Sequence, residues 1–123
     1  MKKTKNLVSW IEIPATNFGR AVKFYNNVLK TELNVIDCGE SEKMACFPTG
    51  EGAVSQAPKF KPSENGTLVS LNAGKDLDGA IERVQQNGGK MVKSKTKIEA
   101  EGRGFFALFI DCEGNKVGLY GDE

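Results

Sequence analysis

Glu12 lies two residues after Trp10, the single tryptophan of the chain, in the stretch Leu7-Val8-Ser9-Trp10-Ile11-Glu12-Ile13-Pro14. A carboxylate beside an indole in a partly dry setting has its proton affinity raised by desolvation, which makes Glu12 a candidate general base, although no partner acid is identifiable. The remaining reactive groups are less promising. Cys46 and Cys112 carry thiols, but the chain has no histidine to activate them and no cationic cluster beside them, so passive packing is expected. Gly50-Glu51-Gly52 and Gly102-Arg103-Gly104 lack the strand-to-helix context of phosphate loops and read as turns. Near the C-terminus, Lys116 and Tyr120 share one face of a last short strand. Ser55 and Gln56 end another strand, and all four have polar tips able to hold a ligand. Lysine and tyrosine at such positions are equally at home as rim residues.

These side chains need a scaffold, and the pattern of apolar residues supplies one. Residues Leu7 to Ile13 alternate around Ile11 and Ile13 and stop at Pro14, which predicts a half-buried strand with Trp10 and Glu12 on the face away from the isoleucines. Thr16 or Asn17 can then cap a helix in which Phe18, Ala21, Val22, Tyr25, Val28 and Leu29 form one stripe. Three short β-prone pieces follow, Glu32 to Ile36, Lys43 to Phe47 and Gly52 to Gln56, with turns around Gly39-Glu40-Ser41 and Pro48-Thr49-Gly50.

After a connection over Pro58 to Asn65 the same order returns. Leu68, Val69 and Leu71 form a strand, Asp76 caps, and Leu77, Ala80, Ile81 and Val84 form a second stripe ending at Gly88-Gly89. That stripe matches Phe18, Ala21, Val22 and Tyr25 at one constant offset, which argues for a duplicated unit over two unrelated α+β halves. Lys90 to Val92, a polar excursion from Lys95 to Arg103, an aromatic strand from Gly104 to Ile110, a turn at Asp111 to Asn115 and a strand from Lys116 to Tyr120 complete it. The expected fold is α+β: one domain over 1–123, with module one about 7–57, a linker about 58–65 and module two about 66–121, each module reading βαβββ.

Composition narrows the function. With 123 residues, 39% hydrophobic and 27% charged, the chain is sized and mixed for one globular domain. Lys plus Arg number 17 against 16 Asp plus Glu, a balance that gives no footprint for nucleic acid or an anionic membrane. Met1 to Lys5 are basic, but no apolar run of signal-peptide length follows, and no stretch is long enough to span a bilayer. Three cysteines, Cys38, Cys46 and Cys112, match neither a zinc motif nor a disulfide framework, so a reducing cytoplasm is expected.

The chain resembles the vicinal-oxygen-chelate superfamily of glyoxalase I, bleomycin-resistance proteins and extradiol dioxygenases. The resemblance is carried by Trp10-Ile-Glu-Ile-Pro, Ala21-Val-Lys-Phe-Tyr25, Gly66-Thr-Leu-Val-Ser-Leu-Asn72, and Gly102 to Asp111 followed by Glu113-Gly-Asn115 and Gly118-Leu-Tyr120. It implies two βαβββ modules whose strands form a curved, cup-shaped mixed sheet with helices on the outer face, commonly as a homodimer. Metal-dependent members place His, Gln or Glu on the first strand of each module and Glu or His on the last. Here those positions fall on Trp10, Leu68 and Gly118, with the fourth near Ser55 or Gln56. The side chains of tryptophan, leucine and glycine offer a cation no lone pair, and the chain has no histidine to substitute, so no metal and no cofactor is expected.

Within that cup Trp10, Glu12, Gln56, Ser70, Lys116 and Tyr120 are the candidate ligand-binding residues. The plainer alternative has Trp10 plugging the cup while Glu12 pairs with Lys116 or Arg103. Three functions follow: a metal-free binder of a small organic molecule, as among bleomycin-resistance members; a lactoylglutathione-lyase-like or dioxygenase-like enzyme with a site remodelled around Glu12; and a structural module with its cup filled by Trp10, Leu68 and Phe105.

Overall fold

Every third or fourth residue from Ala21 to Val28 is apolar, and the helix this pattern builds buries Ala21, Phe24, Tyr25 and Val28. The computed structural model describes residues 6–37, 39 and 41–123; Met1 to Lys5, Cys38 and Glu40, named above, lie outside them. The elements run β1 (Ile11–Pro14), α1 (Phe18–Leu29), β2 (Asn34–Asp37), β3 (Lys43–Cys46), β4 (Gly52–Gln56), β5 (Val69–Gly74), α2 (Leu77–Gln86), β6 (Lys90–Lys97), β7 (Phe105–Ile110) and β8 (Lys116–Gly121). This is the expected α+β order, βαβββ twice.

The strands form two four-stranded mixed sheets, ordered β1-β4-β3-β2 and β5-β8-β7-β6 and not closed into a barrel. In each module the first strand lies parallel to the last, a pairing that needs a crossover, here provided by the helix and the meander after it. β1 and β5 are therefore edge strands.

Several boundaries differ from the sequence reading. β1 begins at Ile11, because its parallel partner β4 begins at Gly52, and Leu7 to Trp10 have no ladder to join. β5 likewise begins at Val69, leaving Leu68 outside. β6 continues through Lys97, so part of the polar excursion is a strand; two register shifts against β7 break the period-two alternation that would have revealed it. Asn17, not Thr16, caps α1, its side chain accepting from the Arg20 N–H at 3.1 Å. Asp76 is the N-cap residue of α2, its carbonyl accepting from the Ala80 N–H at 2.9 Å, but its side chain accepts from Arg83 Nη2 at 2.8 Å and makes no capping bond among the described residues.

One core serves both modules. Phe24 meets Tyr25 edge-on at 4.9 Å and lies 6.0 Å from Phe109 of the second sheet. Ile13 and Val54 of the first module share a cluster with Leu77, Val84, Val117 and Leu119 of the second. Complete burial of each such side chain stabilises by about 1.5–3 kcal/mol. The helices are also joined directly: Arg83 Nε donates to the Val28 carbonyl at 3.0 Å, and Asn27 Nδ2 to Asn87 Oδ1 at 2.7 Å. Phe105, expected as a cup filler, packs against this core on its side of β7 and carries the ammonium groups of Lys95 and Lys97 over its ring at 4.8 and 5.2 Å.

Candidate functional site

A cavity of about 360 Å³ separates the β1 edge from the ends of β5 and β8. Its walls are Ile11 to Pro14 on one side, Val69 and Asn115 to Val117 on the other, and linker residues including Phe60, Lys61 and Ser63. The volume is at the small end of the range for ligand pockets. Two of the six candidate residues, Glu12 and Lys116, line it from opposite modules.

The cavity is held open by a polar clasp at the β7–β8 turn. Asn115 Nδ2 donates to the Pro14 carbonyl at 2.8 Å and its Oδ1 accepts from Ser63 N–H at 3.1 Å, so one side chain ties β8 to β1 and to the linker. Asp111 fixes Asn115 in turn: its Oδ2 accepts from Asn115 Nδ2 at 3.0 Å, its Oδ1 from the Asn115 N–H at 2.9 Å. The Tyr25 hydroxyl donates to the same carboxylate at 2.6 Å from the middle of α1. Desolvation, with the Asp111 charge second, pushes the Tyr25 hydroxyl well above its ordinary pKa, so it stays a donor.

Glu113 extends the clasp to the start of α1. Its Oε1 accepts from the backbone N–H groups of Thr16 and Asn17 at 2.9 and 2.7 Å, and its Oε2 meets Arg20 Nε at 2.5 Å. Burial opposes the charge, yet the hydrogen bonds from Arg20, Asn17 and Thr16 prevail and hold the carboxyl at about 2. The helix N-terminus therefore already has its anion, supplied by the chain itself. Beside it the Cys112 thiol is pushed up to about 12 by burial first and the charges of Glu113 and Asp111 next, which leaves it without nucleophilic character.

Of the remaining candidates, Trp10 is 41% exposed and donates from Nε1 to Glu12 Oε2 at 3.2 Å. That bond takes the place of the expected pairing of Glu12 with Lys116 or Arg103, and among the described residues Glu12 makes no ion pair. Gln56 faces α1, where its Oε1 accepts from the Phe18 N–H at 2.8 Å. Its neighbour Ser55 instead shares the face of Glu12 and Pro14, through the β1–β4 register, and among the described residues its buried hydroxyl has no hydrogen-bond partner. Ser70 lies opposite Gly118, and a Cβ on Gly118 would come within 2.5 Å of its hydroxyl. The Tyr120 hydroxyl accepts from the Gly104 N–H at 3.1 Å. Gln56, Ser70 and Tyr120 thus stand outside the cavity. The sequence reading missed Phe60 and Lys61 because the linker has no periodicity to assign a face; its one signal was an aromatic in a polar, proline-bearing stretch.

Of the residues that the resemblance sets at metal positions, Trp10 and Leu68 have exposed side chains and Gly118 lies beside Ser70, while near the fourth Ser55 is buried and Gln56 accepts from the Phe18 N–H. Among the described residues no group of three or more His, Cys, Asp or Glu is placed to hold an ion. No helix of the described residues is long and apolar enough to cross a membrane.

Comparison with known proteins agrees with this architecture. The family model described as the Glyoxalase/Bleomycin resistance protein/Dioxygenase superfamily matches residues 7–119. A glyoxylase-like domain-containing protein of Didymella fabae is 33% identical over 116 residues, 88% of each chain. A glyoxalase/bleomycin resistance protein/dioxygenase family enzyme from Burkholderia phytofirmans superposes with a TM-score of 0.72 at 12% identity, covering 94% of this chain and 98% of its own. A glyoxalase/bleomycin resistance protein from Albidiferax ferrireducens gives 0.71 at 16% identity, with coverages of 94% and 98%.

Proposed function

Since the chain belongs to the glyoxalase/bleomycin resistance protein/dioxygenase superfamily, we propose that it binds a small organic molecule without a metal, in the cavity between its two modules. The observation that carries this reading is the meeting of Glu12 and Lys116 across an apolar-walled space whose linker wall is pinned by Asn115. A concave, mostly apolar cleft with a few convergent polar groups is the usual form of a ligand site. Of the family's four metal positions, those at Trp10, Leu68 and Gly118 bring no side-chain donor and the fourth, near Ser55 or Gln56, brings at most one neutral oxygen, with Gln56 Oε1 already accepting from Phe18 N–H, which is too few for a divalent ion.

The protein acts in the cytoplasm as a homodimer in this reading. Support for the dimer comes from Trp10 and Leu68, large apolar side chains 41% and 49% exposed just ahead of β1 and β5. The binding reading is tested by dialysing the protein against a chelator and screening small molecules by thermal shift, with light scattering for the mass. Ligands that raise the melting temperature of the metal-free protein support it. Stabilisation that appears only after a divalent ion is restored refutes it.

A further inference from the structure

We infer that the cavity between the modules takes a monoanionic amphiphile, a hydrocarbon or aromatic body bearing one carboxylate. The inference rests on the proposed reading that this cavity is a ligand site. Three charged side chains line it: Glu12 from β1, Lys61 from the linker and Lys116 from β8. Among the described residues neither lysine has an acidic partner, since the ion pairs are Arg20–Glu113, Arg83–Asp76 and Lys95–Asp78. Glu12 is already partly satisfied by the Trp10 indole N–H at 3.2 Å. Two unpaired cations against one hydrogen-bonded anion leave a net charge of +1 along the lining, where Glu12 and Lys61 are exposed and Lys116 is half-buried, and a single carboxylate neutralises it.

The other groups restrict the body of the ligand. Ile11, Ile13, Pro14, Val69 and Val117 give an aliphatic wall, with the Phe60 ring among the linker residues. The Asn115 amide, which might otherwise read a polar ligand, is consumed by Pro14, Asp111 and Ser63. A second anionic group would bring its charge close to Glu12 with no third cation to balance it, so dianions are disfavoured. Ammonium ligands would face two lysines and are excluded more strongly.

The test compares hexanoate, hexylamine and hexanol, which share one hydrocarbon chain and differ in charge, by NMR titration of the Ile11, Ile13, Val69 and Val117 methyl groups. Hexanoate is expected to shift those methyls and to bind about tenfold more tightly than hexylamine, and to weaken several-fold when salt rises from about 20 mM to about 500 mM. Lys61→Gln and Lys116→Gln should each weaken hexanoate about fivefold, and the double variant should bring it to the level of hexanol. Hexylamine binding as tightly as hexanoate, or a double variant that retains full hexanoate affinity, overturns the charge assignment while the binding reading stands. If none of the three compounds moves a cavity methyl, the cavity is not a ligand site and both fail together.

Discussion

Replacing Glu113 with Gln should destabilise the protein by about 2 kcal/mol at neutral pH, and the deficit should vanish in acid. The carboxyl falls from its usual 4.5 to about 2 in the folded chain, a difference that corresponds to at most about 3.5 kcal/mol. The Arg20 side chain is 53% exposed while that of Glu113 is fully covered, so water screens part of the ion pair and about 2 kcal/mol is the better figure. Because folding lowers the pKa, the contribution is complete above about pH 4.5 and is lost as the pH drops through about 2. Glutamine keeps an acceptor for Thr16 and Asn17 but has no charge to titrate. Urea unfolding followed by far-ultraviolet circular dichroism should place the Glu113→Gln midpoint about 1–2 M below that of the wild type at pH 7. The gap should narrow steadily below about pH 4.5 and close only below about pH 2. Equal midpoints at pH 7, or a gap that persists undiminished in acid, would refute the assignment of Glu113 as the ionised anchor of α1.

Tyr25→Phe removes the 2.6 Å bond to buried Asp111 and should cost about 1–3 kcal/mol in chemical denaturation, since the carboxylate loses a donor it cannot replace with water. Ser55→Ala deletes a buried hydroxyl without a partner and should be neutral or stabilising by up to about 1 kcal/mol in the same assay; a loss above that would show that the hydroxyl is bonded after all. Cys112, with its thiol at about 12, should react with iodoacetamide at pH 8 about a thousandfold more slowly than an ordinary thiol until the protein is unfolded, as read by mass spectrometry.

The elements most legible in the sequence were those whose periodicity is enforced by burial on one side. The stripe from Phe18 to Leu29 and its echo from Leu77 to Val84 specify the two helices, and the meanders follow from their turn residues. Edges were less legible. The second half of β6, Lys95 to Lys97, reads as a polar excursion because an edge strand can expose lysines along its length, and its bulges scramble the alternation that marks a strand. Leu7 to Trp10 reads as strand because alternation says nothing about whether a partner exists.

The site was legible only where a strand sets it. Alternation along β1 and β8 singled out Glu12 and Lys116, which the cavity unites. The choice between Ser55 and Gln56 depends on the β1–β4 register, and one residue of register reverses the face. The clasp was out of reach for a different reason: Thr16 and Glu113 are 97 positions apart, and nothing local in either announces the other. The same holds for Tyr25 and Asp111, 86 positions apart, although both fall inside the motifs that carry the family resemblance.

The most direct measurement is a crystal structure of chelator-treated protein soaked with the strongest stabiliser from the thermal-shift screen. Electron density between β1 and β8, touching Glu12 and Lys116 with no ion beside it, is the predicted outcome. Density seated elsewhere, or coordinated to a divalent cation that survived the chelator, would contradict the account.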